Sequence, residues 1–358
     1  MGFLMLLGCS SKNTSQHEIA KPLEPTVAEV IAKNLKVVWG MDILPDGRLI
    51  FNEREGRISI LNIETKEVKL LMEREIWDRA EGGLLGLAVD PQFTTNHYLF
   101  IYETAESGNR IVRLIFENEI LIEDKILVDN IQKKMFHDGG ILKFGPDGYL
   151  YAGTGDAREP NSAQDKNNLS GKILKMDRDG NAATDNPFKN LVYSYGHRNV
   201  QGLCWDENGN MFSSEHGPSG ELNGWCCHDE LNLIIKGGNY GWPEVIGDDE
   251  IAGKEFILPI SHSGIDTWAP GGIINIKGKN KILMACLRGE KLIQFNYQSD
   301  KNIISSSIDK VYFNGDKGRL RNIIQLPDGS IIFCSSNRDG RGDPDEEDDR
   351  IYKMKFEF

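Results

Sequence analysis

Six short segments of this sequence hold more His, Arg, Asp and Glu among their glycines than a turn requires. They are Glu81-Gly82-Gly83-Leu84-Leu85-Gly86, His137-Asp138-Gly139-Gly140, Gly155-Asp156, Gly196-His197-Arg198-Asn199, Glu215-His216-Gly217-Pro218 and Gly318-Arg319-Leu320-Arg321. Imidazole exchanges protons near neutrality, and small residues let a ligand approach the backbone, so His137 is a candidate general base. Arg319 and Arg321 alternate around Leu320. On a strand they would share a face, and two guanidinium forks on one face suit a multivalent carboxylate or phosphate. The Gly217-Pro218 turn and the pair Asp229-Glu230 offer backbone carbonyl and carboxylate oxygens, the ligands that Ca²⁺ takes. Each feature also has an ordinary reading: a loop histidine is more often structural, and arginines in an acidic chain are commonly ion-paired. The acidic run Asp343–Asp349 lacks the EF-hand spacing and reads as a solvated loop.

These segments gain weight only if a fold carries them to one place. Short runs of Val, Ile, Leu, Tyr and Phe alternate with Gly, Asn and Asp turn clusters along the chain, with almost no helical periodicity, which predicts an all-β fold. One unit recurs: a turn such as Pro45-Asp46-Gly47, a strand over Arg48 to Asn52, a Gly turn and a second strand over Ile58 to Asn62. The turns recur at Asp46-Gly47, Thr95-Asn96, Asp147-Gly148, Asn208-Gly209, Lys279-Asn280 and Asp328-Gly329, and the last unit ends in a strand over Asp349 to Phe358. Six units spaced roughly 50 to 70 residues apart predict a six-bladed β-propeller of four-stranded blades around a central channel, filling residues 28–358. Loops from several blades converge at one end of such a channel.

With 54 Asp+Glu against 41 Lys+Arg the formal charge is −13, so no global field draws in nucleic acid or an anionic membrane. Residues 1–9 resemble a lipoprotein-type signal ending at a lipidation cysteine, Cys9. Residues 10–27 read as a polar tether. This predicts an exported, periplasmic or cell-surface protein that meets the membrane only through a lipid anchor; the alternative is a chance apolar start to a cytosolic chain. The remaining cysteines, Cys204, Cys226, Cys227, Cys286 and Cys334, lack the CxxC spacing of a zinc site. Cys226 and Cys227 are read as a vicinal disulfide or as two reduced thiols, with no catalytic role either way.

Taken in order, EGGLLGLAVDPQF (81–93), HDGGILKFGPDGYLYAGTGD (137–156), YGHRNVQGL (195–203), EHGP with DELNLI and NYGWP (215–243) and GRLRNIIQLPDG (318–329) resemble the soluble quinoprotein glucose and aldose sugar dehydrogenases. The resemblance implies an oxidoreductase that uses pyrroloquinoline quinone (PQQ) and calcium to oxidise aldoses at C1 to lactones and passes electrons to a soluble acceptor, as a monomer or homodimer. His137 would be the base and Asp156 the acid that orients it, with Arg198 and Asn199 at the cofactor and Arg319 and Arg321 on its carboxylates. The carbonyls of Gly217 and Pro218 would hold the cofactor's Ca²⁺, and Glu230 with the Tyr240 carbonyl a structural one. The chain departs from the family in carrying Glu81 where Gln is common beside the cofactor, and in extra residues over 221–227. Trp268 is the nearest candidate for the aromatic that flanks the sugar. Two other readings stand beside this one: a non-catalytic propeller that binds a glycan or protein, and a calcium-dependent lactonase-type hydrolase with His137 as base.

Overall fold

A computed structural model describes residues 27–300 and 303–355. The signal and nearly all of the tether expected from the sequence lie outside the described residues. Six four-stranded antiparallel sheets make the six blades, and the only helical turns among the described residues are Phe93–Asn96 and Pro160–Gln164. In the first blade Val38–Ile43 is innermost, followed outward by Leu49–Glu53, Arg57–Leu61 and Val68–Glu73. All six turns counted in the sequence join an innermost strand to its neighbour. At four of them a glycine is needed for its backbone angle, not for space: Gly47, Gly148, Gly209 and Gly329 have φ of 77° to 87°, and a Cβ there would meet nothing within 4 Å.

The sixth blade differs from the sequence expectation. Its inner strands Leu320–Gln325, Ile331–Ser335 and Ile351–Met354 come from the C-terminal end, but its outermost strand is Ala28–Ala32, paired as Ala28↔Met354. The two ends of the propeller domain therefore close the ring on each other. Residues 343–347 of the acidic run are exposed, as a solvated loop would be, but its last two are not: Asp348 and Asp349 are buried, and Asp349 accepts the Val37 N–H at 2.8 Å and the Asn337 N–H at 2.5 Å. It latches the closure instead of facing solvent.

The innermost strands crowd the channel wall, and glycine makes that approach feasible. A Cβ on Gly86 would stand 2.1 Å from the Gly140 carbonyl oxygen, and one on Gly271 would stand 2.0 Å from that of Arg321. Apolar side chains fill the wedges between blades, as where Trp39, Leu85, Phe100, Tyr102 and Leu142 are buried together. The channel end of each blade is thus rigid, and the loops that rise from it start from fixed positions.

Candidate active site

The loop at His137 is shaped by its neighbours. A Cβ on Gly155 would come within 1.8 Å of the His137 carbonyl oxygen, so only glycine lets the Asp156 segment run this close. The backbone then stitches the segments together: Ala157 N donates to His137 O at 3.1 Å, and Asp156 N donates to Arg198 O at 2.7 Å. His137 itself is held at φ 65°, a left-handed conformation that costs a non-glycine residue energy and is concentrated at functional sites.

Within this frame the side chains form one chain of contacts. The buried Asp156 carboxylate takes His137 Nδ1 on Oδ1 at 2.7 Å and the Trp242 Nε1–H on Oδ2 at 2.7 Å, and Oδ1 also accepts the Arg158 N–H at 2.8 Å. On the far side of the imidazole, Nε2 lies 2.8 Å from Arg198 Nη2, which can only donate. An acceptor-only carboxylate on one ring nitrogen and a donor-only guanidinium on the other assign the tautomer: Nδ1 carries the proton and Nε2 the lone pair. Arg198 is fixed from below by its own N–H to Glu215 Oε1 and by Nη1 to His216 O at 3.2 Å, with its guanidinium 5.6 Å from the centre of the Trp242 ring.

His137 and Arg198 border a cavity of about 620 Å³ at the channel mouth, lined also by Glu81, Phe136, Gly217, Pro218, Glu221 and Arg319. Arg341 and Arg158 stand at its edge, each about 5.5 Å from the centre of the Phe136 ring. A narrower space below it is lined by Trp39, Asn199 and Arg321. Arg319 donates Nε and Nη2 to Asp339 Oδ2 at 2.9 and 2.8 Å, and Arg321 Nη2 stands 3.6 Å from the same oxygen. Two buried guanidiniums therefore face one carboxylate. Burial, with Arg54 and Arg319 nearby, pushes Arg321 down to about 10 even though Asp339 supports its charge. Asn199 supports the base loop, its Oδ1 accepting the Gly139 N–H at 3.0 Å.

Glu81 is already engaged. Arg341 Nη2 lies 2.9 Å from Oε1, and Oε2 accepts the His137 N–H at 2.8 Å. Burial alone would raise its pKa, but Arg341 and the His137 N–H hold it below the usual carboxylate value. The negative charge at this position is thus balanced inside the protein and helps to pin His137.

The residues expected to bind metal fall into two groups. Gly217 and Pro218 line the mouth cavity. Glu230 and Tyr240 line a smaller space of about 10 Å³ with Glu215 and Gly196, and Gly217 and Pro218 border that space as well. Burial first, and Glu215 next to it, push Glu230 up to about 8. Asp229 does not belong to either group of oxygens: Oδ1 accepts the Gly217 N–H at 3.0 Å, and Oδ2 takes the N–H groups of Trp268 and Ala269 at 2.7 and 2.8 Å. No cluster of three or more His, Cys, Asp or Glu among the described residues is arranged to hold a metal by side chains alone.

The expectation for Trp268 is corrected. Asp229 anchors the backbone of residues 267–269 so that the indole turns into the core, where it is 5% exposed and packs edge-on to Phe295 at 5.6 Å. Phe136 is the aromatic that lines the cavity instead. Sequence reasoning also missed Trp242, Arg158, Glu221, Asp339 and Arg341. Of these, Trp242 stands in the NYGWP motif and Glu221 opens the extra segment 221–227, and the partner of Trp242, Asp156, lies 86 residues away. Cys226 and Cys227 are joined as a vicinal disulfide at the cavity edge, which resolves the two readings of that pair.

The chain matches the glucose/sorbosone dehydrogenase family over residues 35–342. It is 34% identical to quinoprotein glucose dehydrogenase B of Acinetobacter calcoaceticus, across 89% of this chain and 87% of that protein. It is 26% identical to an aldose sugar dehydrogenase of Escherichia coli, across 87% and 90%. The PQQ-bound form of the aldose sugar dehydrogenase from Streptomyces coelicolor superposes with a TM-score of 0.83 at 37% identity, covering 93% of this chain and 99% of that one. The propeller, the order of its motifs and the extent of the match lead to one conclusion: the chain belongs to the glucose/sorbosone dehydrogenase family.

Proposed function

We propose that the protein oxidises aldose sugars at C1 to lactones, using PQQ and Ca²⁺. The observation that carries this reading is the proton-accepting Nε2 of His137, at the cavity wall with Asp156 on the opposite ring nitrogen, where it accepts from Arg198 Nη2 at 2.8 Å, a donor whose place the O1–H of a bound sugar would take. When bound, PQQ supplies an electrophilic quinone that accepts the hydride from C1. His137 takes the O1–H proton as the C1–O1 double bond forms, and Asp156 stabilises the imidazolium that results. Trp242 keeps Asp156 in register by occupying its second oxygen. Arg198 places positive charge beside the reacting oxygen, where negative charge develops.

The residues present fit a flat tricarboxylate. Arg319 and Arg321 are buried with a single carboxylate, Asp339, between them, so two cationic forks share one acidic partner. The backbone carbonyls of Gly217 and Pro218, on residues that line the mouth cavity, would supply oxygen ligands to Ca²⁺. A structural Ca²⁺ would take Glu230 and the Tyr240 carbonyl, on residues that line one small space with Glu215. A soluble acceptor would regenerate the oxidised cofactor. Export with a lipid anchor at Cys9 is part of the proposal, and the Cys226–Cys227 bond supports it because such bonds persist in oxidising compartments.

A lactonase-type hydrolase has no use for a paired arginine clamp, and a pure binding module none for an oriented base. Reconstitution separates them: Ca²⁺ and PQQ are added to the purified protein and dye reduction is followed with a panel of aldoses. Bleaching that requires both PQQ and sugar is the expected result. Hydrolysis of lactones without dye reduction, or glycan binding without either, would overturn the proposal.

A further inference from the structure

The segment from Ser219 to Cys227 brings a carboxylate to the reacting end of the cavity. Glu221 Oε1 accepts hydrogen bonds from Arg198 Nε at 2.9 Å and from Arg198 Nη2, and it stands 4.0 Å from His137 Nε2. The other side of the carboxylate accepts the Ser219 N–H at 2.6 Å. The loop is fastened around it: Gly220 N donates to Trp225 O at 2.8 Å, Ser219 bridges to Cys226, and Leu222 and Trp225 pack on the buried Trp242 and Ile246. Glu221 is therefore fixed by the build of the loop. Burial opposes its charge, but Arg198 holds the carboxyl below its ordinary value and keeps it ionised.

A carboxylate has about four acceptor sites: Arg198 Nε and Nη2 take both of those on Oε1 and Ser219 N takes one on Oε2, leaving one on Oε2 for a ligand. Oε1 stands 4.0 Å from His137 Nε2, so Oε2, on the same carbon, lies within about 6 Å of it, a span that hydrogen bonds of about 2.8 Å to two neighbouring hydroxyls cover. Any hydroxyl seated on the base thus places its own oxygen, or that of the neighbouring carbon, within reach of Glu221.

We propose that Glu221 is a specificity residue: its carboxylate accepts a hydrogen bond from the substituent on C2 of the sugar, so the enzyme favours aldoses that carry a hydroxyl or ammonium donor there over 2-deoxy sugars. The inference rests on the dehydrogenase reading and deepens it. A hydrogen bond to a charged group corresponds to a preference on the order of 10- to 10²-fold for a donor at C2.

The test compares kcat/KM of the PQQ- and Ca²⁺-loaded enzyme for glucose, 2-deoxyglucose and protonated 2-amino-2-deoxyglucose, in the parent and in Glu221→Gln and Glu221→Ala. The parent is expected to disfavour 2-deoxyglucose by tenfold or more. Glu221→Ala should bring the three sugars to within about threefold of one another. Glu221→Gln, which keeps the shape and loses the charge, should lower the amino sugar relative to glucose by tenfold or more. Ratios within one variant are insensitive to a uniform loss of active protein. An unchanged ranking in both variants overturns the assignment of Glu221 alone, whereas a parent that oxidises none of the sugars overturns the dehydrogenase reading and this inference with it.

Discussion

Replacing Asp156 with Asn is the most informative single change to the base. Three donors converge on this buried carboxylate: His137 Nδ1 and Trp242 Nε1, each at 2.7 Å, and Arg158 N at 2.8 Å. Asn offers one oxygen and one NH₂. If its oxygen stays on the His137 side, the NH₂ meets the Trp242 N–H head-on. If it flips, the NH₂ faces Nδ1, which must then accept, and the proton moves to Nε2, where the base needs its lone pair. The charge is also lost. An imidazolium and a carboxylate with centres about 4 Å apart attract by about 4 kcal/mol at an effective dielectric of about 20. That corresponds to about 10³ in rate if the imidazolium is fully formed in the transition state. The assay is single-turnover reduction of bound PQQ by saturating aldose, with PQQ affinity measured separately by titration. Asp156→Asn should reduce the rate by on the order of 10³ while leaving PQQ affinity within a few-fold. A variant within tenfold of the parent would refute the role given to this carboxylate.

Three further outcomes follow from other contacts. Trp242→Phe removes the Nε1–H on Asp156 Oδ2 but keeps the apolar bulk, so kcat should fall by about tenfold with KM for the sugar little changed; steady-state kinetics check this. Arg319→Ala with Arg321→Ala should weaken PQQ by on the order of 10² or more and abolish the rise in Tm that PQQ gives the parent, both read by titration and thermal melts. Asp138 is raised to about 7, by burial first and the Glu81 charge second, against a stabilising hydrogen bond from Asn109, and its Oδ2 has no partner. An acid whose folded pKa lies above its unfolded one contributes stability below the unfolded pKa and loses it as pH rises through the folded one. Asp138→Asn should therefore gain Tm over the parent at pH 8 and much less at pH 4, whereas an equal difference at both pH values would contradict the assignment.

The blade count was legible because each inner turn needs a positive φ or a tight polar reversal, and Asp-Gly or Asn-Gly announces it at residues 46, 147, 208 and 328. Ring closure was not legible. Ala28–Ala32 is a five-residue strand whose partner, Ile351–Met354, lies at the other end of the sequence, and nothing local records that pairing. The same limit governs the site. His137, Asp156, Arg198 and the two arginines stood out by type and spacing, but the groups that control them come from other loops: Trp242 lies in a quoted motif and Glu221 in the extra segment without either pattern recording what it meets, and Asp339 and Arg341 carry no signal of their own. Trp268 shows the converse: residue type suggested a ligand contact, while the direction of its ring is set by backbone hydrogen bonds to Asp229, which no local pattern reveals.

In the proposed reaction His137 is the proton acceptor of a PQQ-dependent oxidation of sugar. The most direct measurement loads the parent and His137→Ala with PQQ and Ca²⁺, mixes each with excess aldose and follows the absorbance of the bound cofactor in a single turnover. Rapid reduction is expected in the parent and a rate lower by on the order of 10² or more in the variant, with both binding PQQ. Equal rates in the two proteins, or a parent whose bound PQQ no aldose reduces, would contradict it.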